Sequence, residues 1–219
     1  MKKLIIAISS IFMLMLSSAM SMEMRPAVGI SGNMGVYAAT GIEENFNNTG
    51  TAIDETTKEY GAFATEYGSI FLELGLNDVV SLGVDYVPQA LETPQNKSSE
   101  GNGGNANTVE AHFEDLTTVY AKINVPLGGT YLKLGYTQAE VISKEIMTSG
   151  NSFGNDTTSG YTVGLGYNHE VANGFSVRAE ITGSDFSDVQ TNNGATNKVV
   201  VKVKDMIGAR GTISLVKAF

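Results

Sequence analysis

The segment Ile207-Gly208-Ala209-Arg210-Gly211-Thr212-Ile213-Ser214-Leu215-Val216-Lys217-Ala218-Phe219 alternates between two kinds of side chain. Ile207, Ala209, Gly211, Ile213, Leu215 and Phe219 fall on one face of an extended chain, and Gly208, Arg210, Thr212 and Ser214 on the other. Successive strand residues point to opposite faces, so a period of two predicts a β-strand. A membrane strand needs about 9–11 residues, so this one is long enough to span. It also needs a partner. Pairing with the first strand of the chain would close a barrel and leave no open edge.

Working outward, seven more stretches carry the same alternation: Ala27–Ala38, Glu66–Leu76, Val79–Gln89, Phe113–Val125, Thr130–Val141, Gly160–Val171 and Phe175–Asp185. Three connections are tight and use turn residues: Asn77-Asp78, Pro126-Leu127-Gly128-Gly129 and Ala172-Asn173-Gly174. The other four, Gly41–Thr65, Leu91–His112, Ile142–Ser159 and Phe186–Asn197, are long and polar. Long and short connections alternate strictly. That asymmetry predicts an all-β, eight-stranded antiparallel up-and-down transmembrane β-barrel with short periplasmic turns and long external loops.

Composition decides which face meets lipid. One face carries Leu, Ile, Val, Ala, Tyr and Phe; the other carries Gly, Ser, Thr, Asn and charges. Eight strands enclose only enough room for their own inward side chains, so the mixed polar face is assigned to the lumen and the apolar face to lipid. Tyr136, Tyr161, Tyr167, Phe175 and Phe219 then fall near strand ends, where aromatic girdles sit. The inward set includes a charge network of Glu73, Asp85, Lys122, Lys133, Arg178, Glu180 and Arg210. Unpaired charges at that depth are costly, so these side chains are expected to pair and plug the lumen. Arg178 and Glu180, neighbours on one strand face, are the leading members.

At the other end, Lys2 and Lys3 precede an apolar run from Leu4 to Leu16, then Ser17, Ser18, Ala19, Met20 and Ser21. This order is that of a secretory signal peptide, residues 1–21, cleaved after Ser21 or alternatively after Ala19, with the barrel domain at 22–219. The apolar run is too short for a membrane helix, which needs about 20 residues. The 219-residue chain has no cysteine, 25 glycines and a formal net charge of −9, more negative still once Lys2 and Lys3 leave. One domain is expected for this length, without thiol chemistry. Acidity argues against a nucleic-acid partner.

The terminal strand also resembles the C-terminal strand of bacterial outer-membrane barrels, which ends in Phe and carries the signal read by the barrel-assembly machinery. Ile213, Leu215 and Phe219 match; Lys217 stands where an aromatic or apolar residue is usual. The chain after the leader resembles the small outer-membrane barrels: opacity-type adhesins, OmpX- and OmpA-like barrels and OmpW-like channels of the porin family. No peptidoglycan-anchoring domain is expected. The resemblance implies residence in the outer membrane against lipopolysaccharide. It implies a structural or surface-interaction role through external loops with an unidentified ligand, or alternatively a narrow channel for small solutes.

Enzymatic chemistry finds little support. Of the two histidines, His169 precedes a tight turn, and His112 has Glu110 and Glu114 nearby but no placed serine. Acid pairs such as Glu43-Glu44, Asp54-Glu55 and Glu114-Asp115 read as solvated loop residues, and neither metal nor cofactor is expected.

Overall fold

The computed structural model describes residues 24–47, 49–98, 107–146, 153–194 and 198–219. The expected signal peptide, residues 1–21, and residues 99–106 of the second long connection lie outside them. Eleven strand segments follow one another: β1 (Arg25–Phe46), β2 (Ile53–Gly75), β3 (Val80–Tyr86), β4 (Leu91–Glu92), β5 (Asn96–Ser98), β6 (Asn107–Asn124), β7 (Thr130–Ile146), β8 (Asp156–Ala172), β9 (Phe175–Phe186), β10 (Val189–Asn192) and β11 (Val199–Ala218). They occupy eight places in one antiparallel ring. β3, β4 and β5 share the third place, all pairing with β6, and β9 and β10 share the seventh, both pairing with β11. The ring closes where β1 meets β11, from Ala27 opposite Ala218 to Asn45 opposite Val199. No helix occurs among the described residues.

The apolar phase points away from the axis. Ile30 is 60% exposed, Leu165 57%, Ile181 73% and Ile213 61%, whereas Glu73, Lys133, Arg178 and Glu180 are each 7% exposed or less. Such a surface suits hydrocarbon rather than water as the surrounding solvent. Tyr136 and Tyr161 meet edge to face, ring centroids 5.7 Å apart, and Tyr167, Phe175 and Phe219 are exposed on the same outward face.

Turn chemistry sets the short ends. At Asn173-Gly174 both residues have positive φ, 52° and 76°, the conformation a two-residue hairpin demands. The Asn77 carboxamide oxygen accepts from the Val79 and Val80 N–H groups, 2.8 and 2.7 Å, and holds the β2–β3 reversal.

Three local features depart from the sequence expectation. First, the long connections are largely strand. β1 runs on to Phe46 and β2 starts at Ile53, so most of Gly41–Thr65 is laddered; β7 reaches Ile146 and β8 starts at Asp156. The apolar alternation fades there, but the backbone pairing does not need it. Second, Asp115 and Asp205 adopt positive φ, both 53°, at register shifts in the β6–β7 and β1–β11 ladders. Each extra residue flips the face of the strand beyond it. Third, the stretch Val79–Gln89 is a strand only to Tyr86, and Pro88 and Pro94 interrupt the chain past that point.

Candidate functional site: a charged plug below an apolar vestibule

All seven predicted lumen charges are buried inside the ring, contributed by β2, β3, β6, β7, β9 and β11. They gather around three carboxylates. Glu73 accepts two N–H bonds from Arg178, at 2.8 and 3.3 Å, and one from the Tyr120 hydroxyl at 3.2 Å; it also takes the Lys122 ammonium. Glu180 accepts from Lys133 and from the Tyr131 hydroxyl, both at 2.9 Å, with the Arg210 guanidinium 3.8 Å away. Asp85 accepts from Arg210 at 3.3 Å, and its second oxygen, Oδ1, has no hydrogen-bond partner among the described residues. Arg178 and Glu180, singled out together from the sequence, do not pair with one another: each reaches across the lumen to a different strand.

Aromatic rings fill the spaces between the charges. The Lys133 ammonium lies 4.2 Å from the Tyr120 ring centroid, and the Arg178 guanidinium lies 5.2 Å from Phe71 and 5.4 Å from Tyr131. The rings lie flat because glycines face them. A Cβ on Gly83 would collide with the Tyr120 ring, and one on Gly166 with the Tyr131 ring. Next to this layer runs a chain of hydroxyls, Thr118–Thr137–Thr162–Ser184, linked at 2.9, 2.9 and 2.8 Å. On β1, Asn33 joins Ser69 at 3.1 Å and Thr212 at 2.8 Å. The cross-section is filled by charges, rings and hydroxyls, and among the described residues Asp85 Oδ1 is its one buried side-chain polar atom without a partner.

Towards the long-connection end the lumen changes character. Tyr67, Val87, Leu91, Leu116 and Ala139 form an apolar cluster with Tyr37 and Phe113 against it. The Tyr37 and Tyr67 hydroxyls meet at 2.8 Å, and Phe63 stacks between Tyr37 and Phe113, centroids 5.4 and 6.3 Å apart. Above lies a cavity of about 390 Å³, lined by Phe63, Phe113, Val141, Phe186, Met206 and other mostly apolar residues. Sequence reading missed it. The bulge at Asp115 turns Phe113 inward, and that at Asp205 does the same for Val203, against the simple alternation.

The wall beside this cavity lacks backbone pairing along one seam among the described residues. β2 pairs with β3 only over Ile70–Gly75, and among the described residues β4 and β5 pair with β6 but not with β2. The reason is in the backbone. The Val87 N–H donates to Leu116 O (3.0 Å) and the Thr93 N–H to Ala111 O (3.0 Å), both towards β6. Successive N–H groups of an extended chain point to opposite edges. Positions 88 and 94 are therefore among those whose N–H would face β2, and both are proline, which has none. The cavity reaches this gap, with Glu59, Tyr60, Gly61 and Ala62 of β2 on one side and Leu91, Thr93 and Pro94 on the other.

Residues 8–204 match the outer membrane protein beta-barrel domain family. The chain belongs to that family. The match places it among outer-membrane barrels, and no curated protein matches the chain. Among solved structures, the outer membrane protein OprG from Pseudomonas aeruginosa superposes with TM-score 0.54 at 11% identity, covering 88% of this chain and 95% of OprG. The outer membrane protease OmpT from Escherichia coli gives TM-score 0.46 at 9% identity over 88% and 97% of the two chains. Ail, the attachment invasion locus protein of Yersinia pestis, gives 0.39 at 11% over 87% and 99%.

The remaining residues of interest in this outer-membrane barrel lie apart from the plug. Ile213, Leu215 and Phe219 face outward, and the Phe219 N–H donates to Pro26 O at 2.9 Å. Lys217 shares their face but bends to the rim: its ammonium donates to Asn173 O at 2.5 Å and sits 4.6 Å from the Phe175 centroid. His112 contacts Glu110 at 2.8 Å, and His169 stacks on Tyr167, centroids 6.5 Å apart. Of the acid pairs, Glu44 holds Lys202 at 2.6 Å and Asp115 accepts from the Tyr86 hydroxyl at 2.9 Å. No group of three or more metal-ligating side chains occurs among the described residues.

Proposed function

We propose that this barrel admits small apolar molecules from the cell exterior into the upper lumen and releases them sideways through the gap between β2 and the β3–β5 place. One observation carries this reading: an apolar cavity reaches an unpaired seam while the lumen below is filled by the ion-pair network. The cavity has room for about a dozen non-hydrogen atoms, if each takes the roughly 30 Å³ of a liquid water. The narrow-channel alternative read from the sequence is thus preferred in an altered form, with a lateral exit instead of an axial one. The network serves as the plug that makes the exit lateral.

The surface-interaction reading has its own support. Residues 53–62 of β2 are exposed on both faces, and their edge away from β1 is unpaired among the described residues, so β2 offers a partner a free edge. In both readings the tight turns lie in the periplasm, the leader is removed after Ser21, and Ile213, Leu215 and Phe219 present the sorting signal to the barrel-assembly machinery. The outward face meets lipid and lipopolysaccharide, and the chain performs no catalysis.

Uptake of a small apolar dye by cells producing the protein tests the lateral path. Ala139→Phe fills the cavity, and Pro88→Val with Pro94→Val returns the N–H donors that would let the seam close. Both variants are expected to reduce uptake to the level of cells lacking the protein, while retaining heat-modifiable gel migration. In planar bilayers the wild type is expected to give no stable conductance steps. Undiminished uptake in both variants, or stable steps, overturns the reading.

A further inference from the structure

Two charged side chains stand at the gap, and both are acidic. Glu59 lines the cavity from β2, and Glu66 lies seven positions along the same strand, on the outward face. Glu66 sits opposite Met34, which is 58% exposed in the lipid-facing row of Ile30 and Val36. Among the described residues neither carboxylate has a hydrogen bond or an ion pair. An unpaired carboxylate on the lipid-facing wall is unfavourable without a compensating role. The lysine of β2, Lys58, lies over the Tyr60 ring, its ammonium 5.1 Å from the centroid, and forms no ion pair with either carboxylate. Lys202 is held by Glu44, and Lys204 lies 3.8 Å from Asp188. Among the described residues no Lys, Arg or His lines the cavity. Beside Glu66, Gln89 borders the same outer trough and adds a neutral carboxamide to the mouth.

We infer that the path is selective by head group: it accepts amphiphiles with a neutral or cationic head and rejects those with a carboxylate. This rests on the lateral-release reading proposed for the vestibule and adds the substrate class. The tail occupies the apolar cavity, and the head meets Glu59 on entry and Glu66 on exit. An ammonium or hydroxyl head donates to these carboxylates. A carboxylate head is repelled by both and finds no cation in the lining to offset the repulsion. Two negative charges about 6 Å apart, at an effective dielectric of about 20, shift the equilibrium more than tenfold.

The chain has no cysteine, so a single introduced thiol reports on the cavity. Ala139→Cys, or Val141→Cys where the first does not fold, is reacted with a small methanethiosulfonate in detergent near neutral pH. Octanol, octylammonium and octanoate are compared as protectants. Octanol and octylammonium are expected to slow labelling, and octanoate to need at least about tenfold more for the same protection. Adding Glu59→Gln and Glu66→Gln is expected to bring octanoate to within about twofold of octanol. Equal protection by octanoate and octanol in the unsubstituted background overturns the head-group selectivity alone. Protection by none of the three removes the vestibule itself, and this inference with it.

Discussion

Glu73→Gln is the sharpest test of the plug. Glu73 is 4% exposed and serves two cations, Arg178 through two N–H bonds and Lys122, besides the Tyr120 hydroxyl. The amide keeps the shape but removes the charge, leaving two buried cations without their anion. Removing one partner of a buried pair costs roughly 3–5 kcal/mol, and with two cations stranded the upper end, about 5 kcal/mol, is expected. The partners are too deeply buried for solvent to screen the loss. The assay is urea unfolding of the refolded barrel in lipid vesicles, followed by the fraction that migrates as the compact form without boiling. A second variant separates charge from packing. Lys122→Met in the Glu73→Gln background removes one stranded cation, so the double substitution should recover at least about 1 kcal/mol relative to Glu73→Gln alone. A loss within about 0.5 kcal/mol for Glu73→Gln would refute the pairing as the reason these charges tolerate burial, since changes that size are ordinary at the surface.

Further outcomes are expected elsewhere in the barrel. Gly166→Ala places a methyl against the Tyr131 ring and should cost about 1–3 kcal/mol in the same unfolding assay, with Tyr131→Ala in the same chain relieving the clash. Asp115→Val forces a β-branched residue into φ 53° and deletes the Tyr86 hydrogen bond; about 1–3 kcal/mol should be lost, whereas Asp115→Gly should lose less. Ile181→Arg puts a charge on the lipid face and should destabilise by about 2–4 kcal/mol in bilayers, with a much smaller effect in detergent micelles if water reaches the site there.

The lumen charges were legible in the sequence because Glu73, Asp85, Lys122, Lys133, Arg178, Glu180 and Arg210 obey the period of two without exception. Their pairing was not. Arg178 and Glu180 sit two residues apart, but Arg178 finds Glu73 across the lumen, a partner that only ring closure supplies. The vestibule was hidden for a different reason: one extra residue at Asp115 exchanges inside and outside for Phe113, and a positive φ at aspartate leaves no mark on hydropathy. The side gap had a visible signal in Pro88 and Pro94. Its meaning depends on which edge each missing N–H would have faced, and that needs the Val87 and Thr93 bonds to β6.

The ring is sewn most loosely away from its ends. First and last strands hold each other from Ala27 to Asn45, while β2 and β3 share only Ile70–Gly75. Thermal breathing in this protein should therefore begin at an internal stitch and leave the terminal join shut. A cylinder built so widens like a clasp with its hinge on the far side: it flexes locally to let a molecule pass, yet never unrolls.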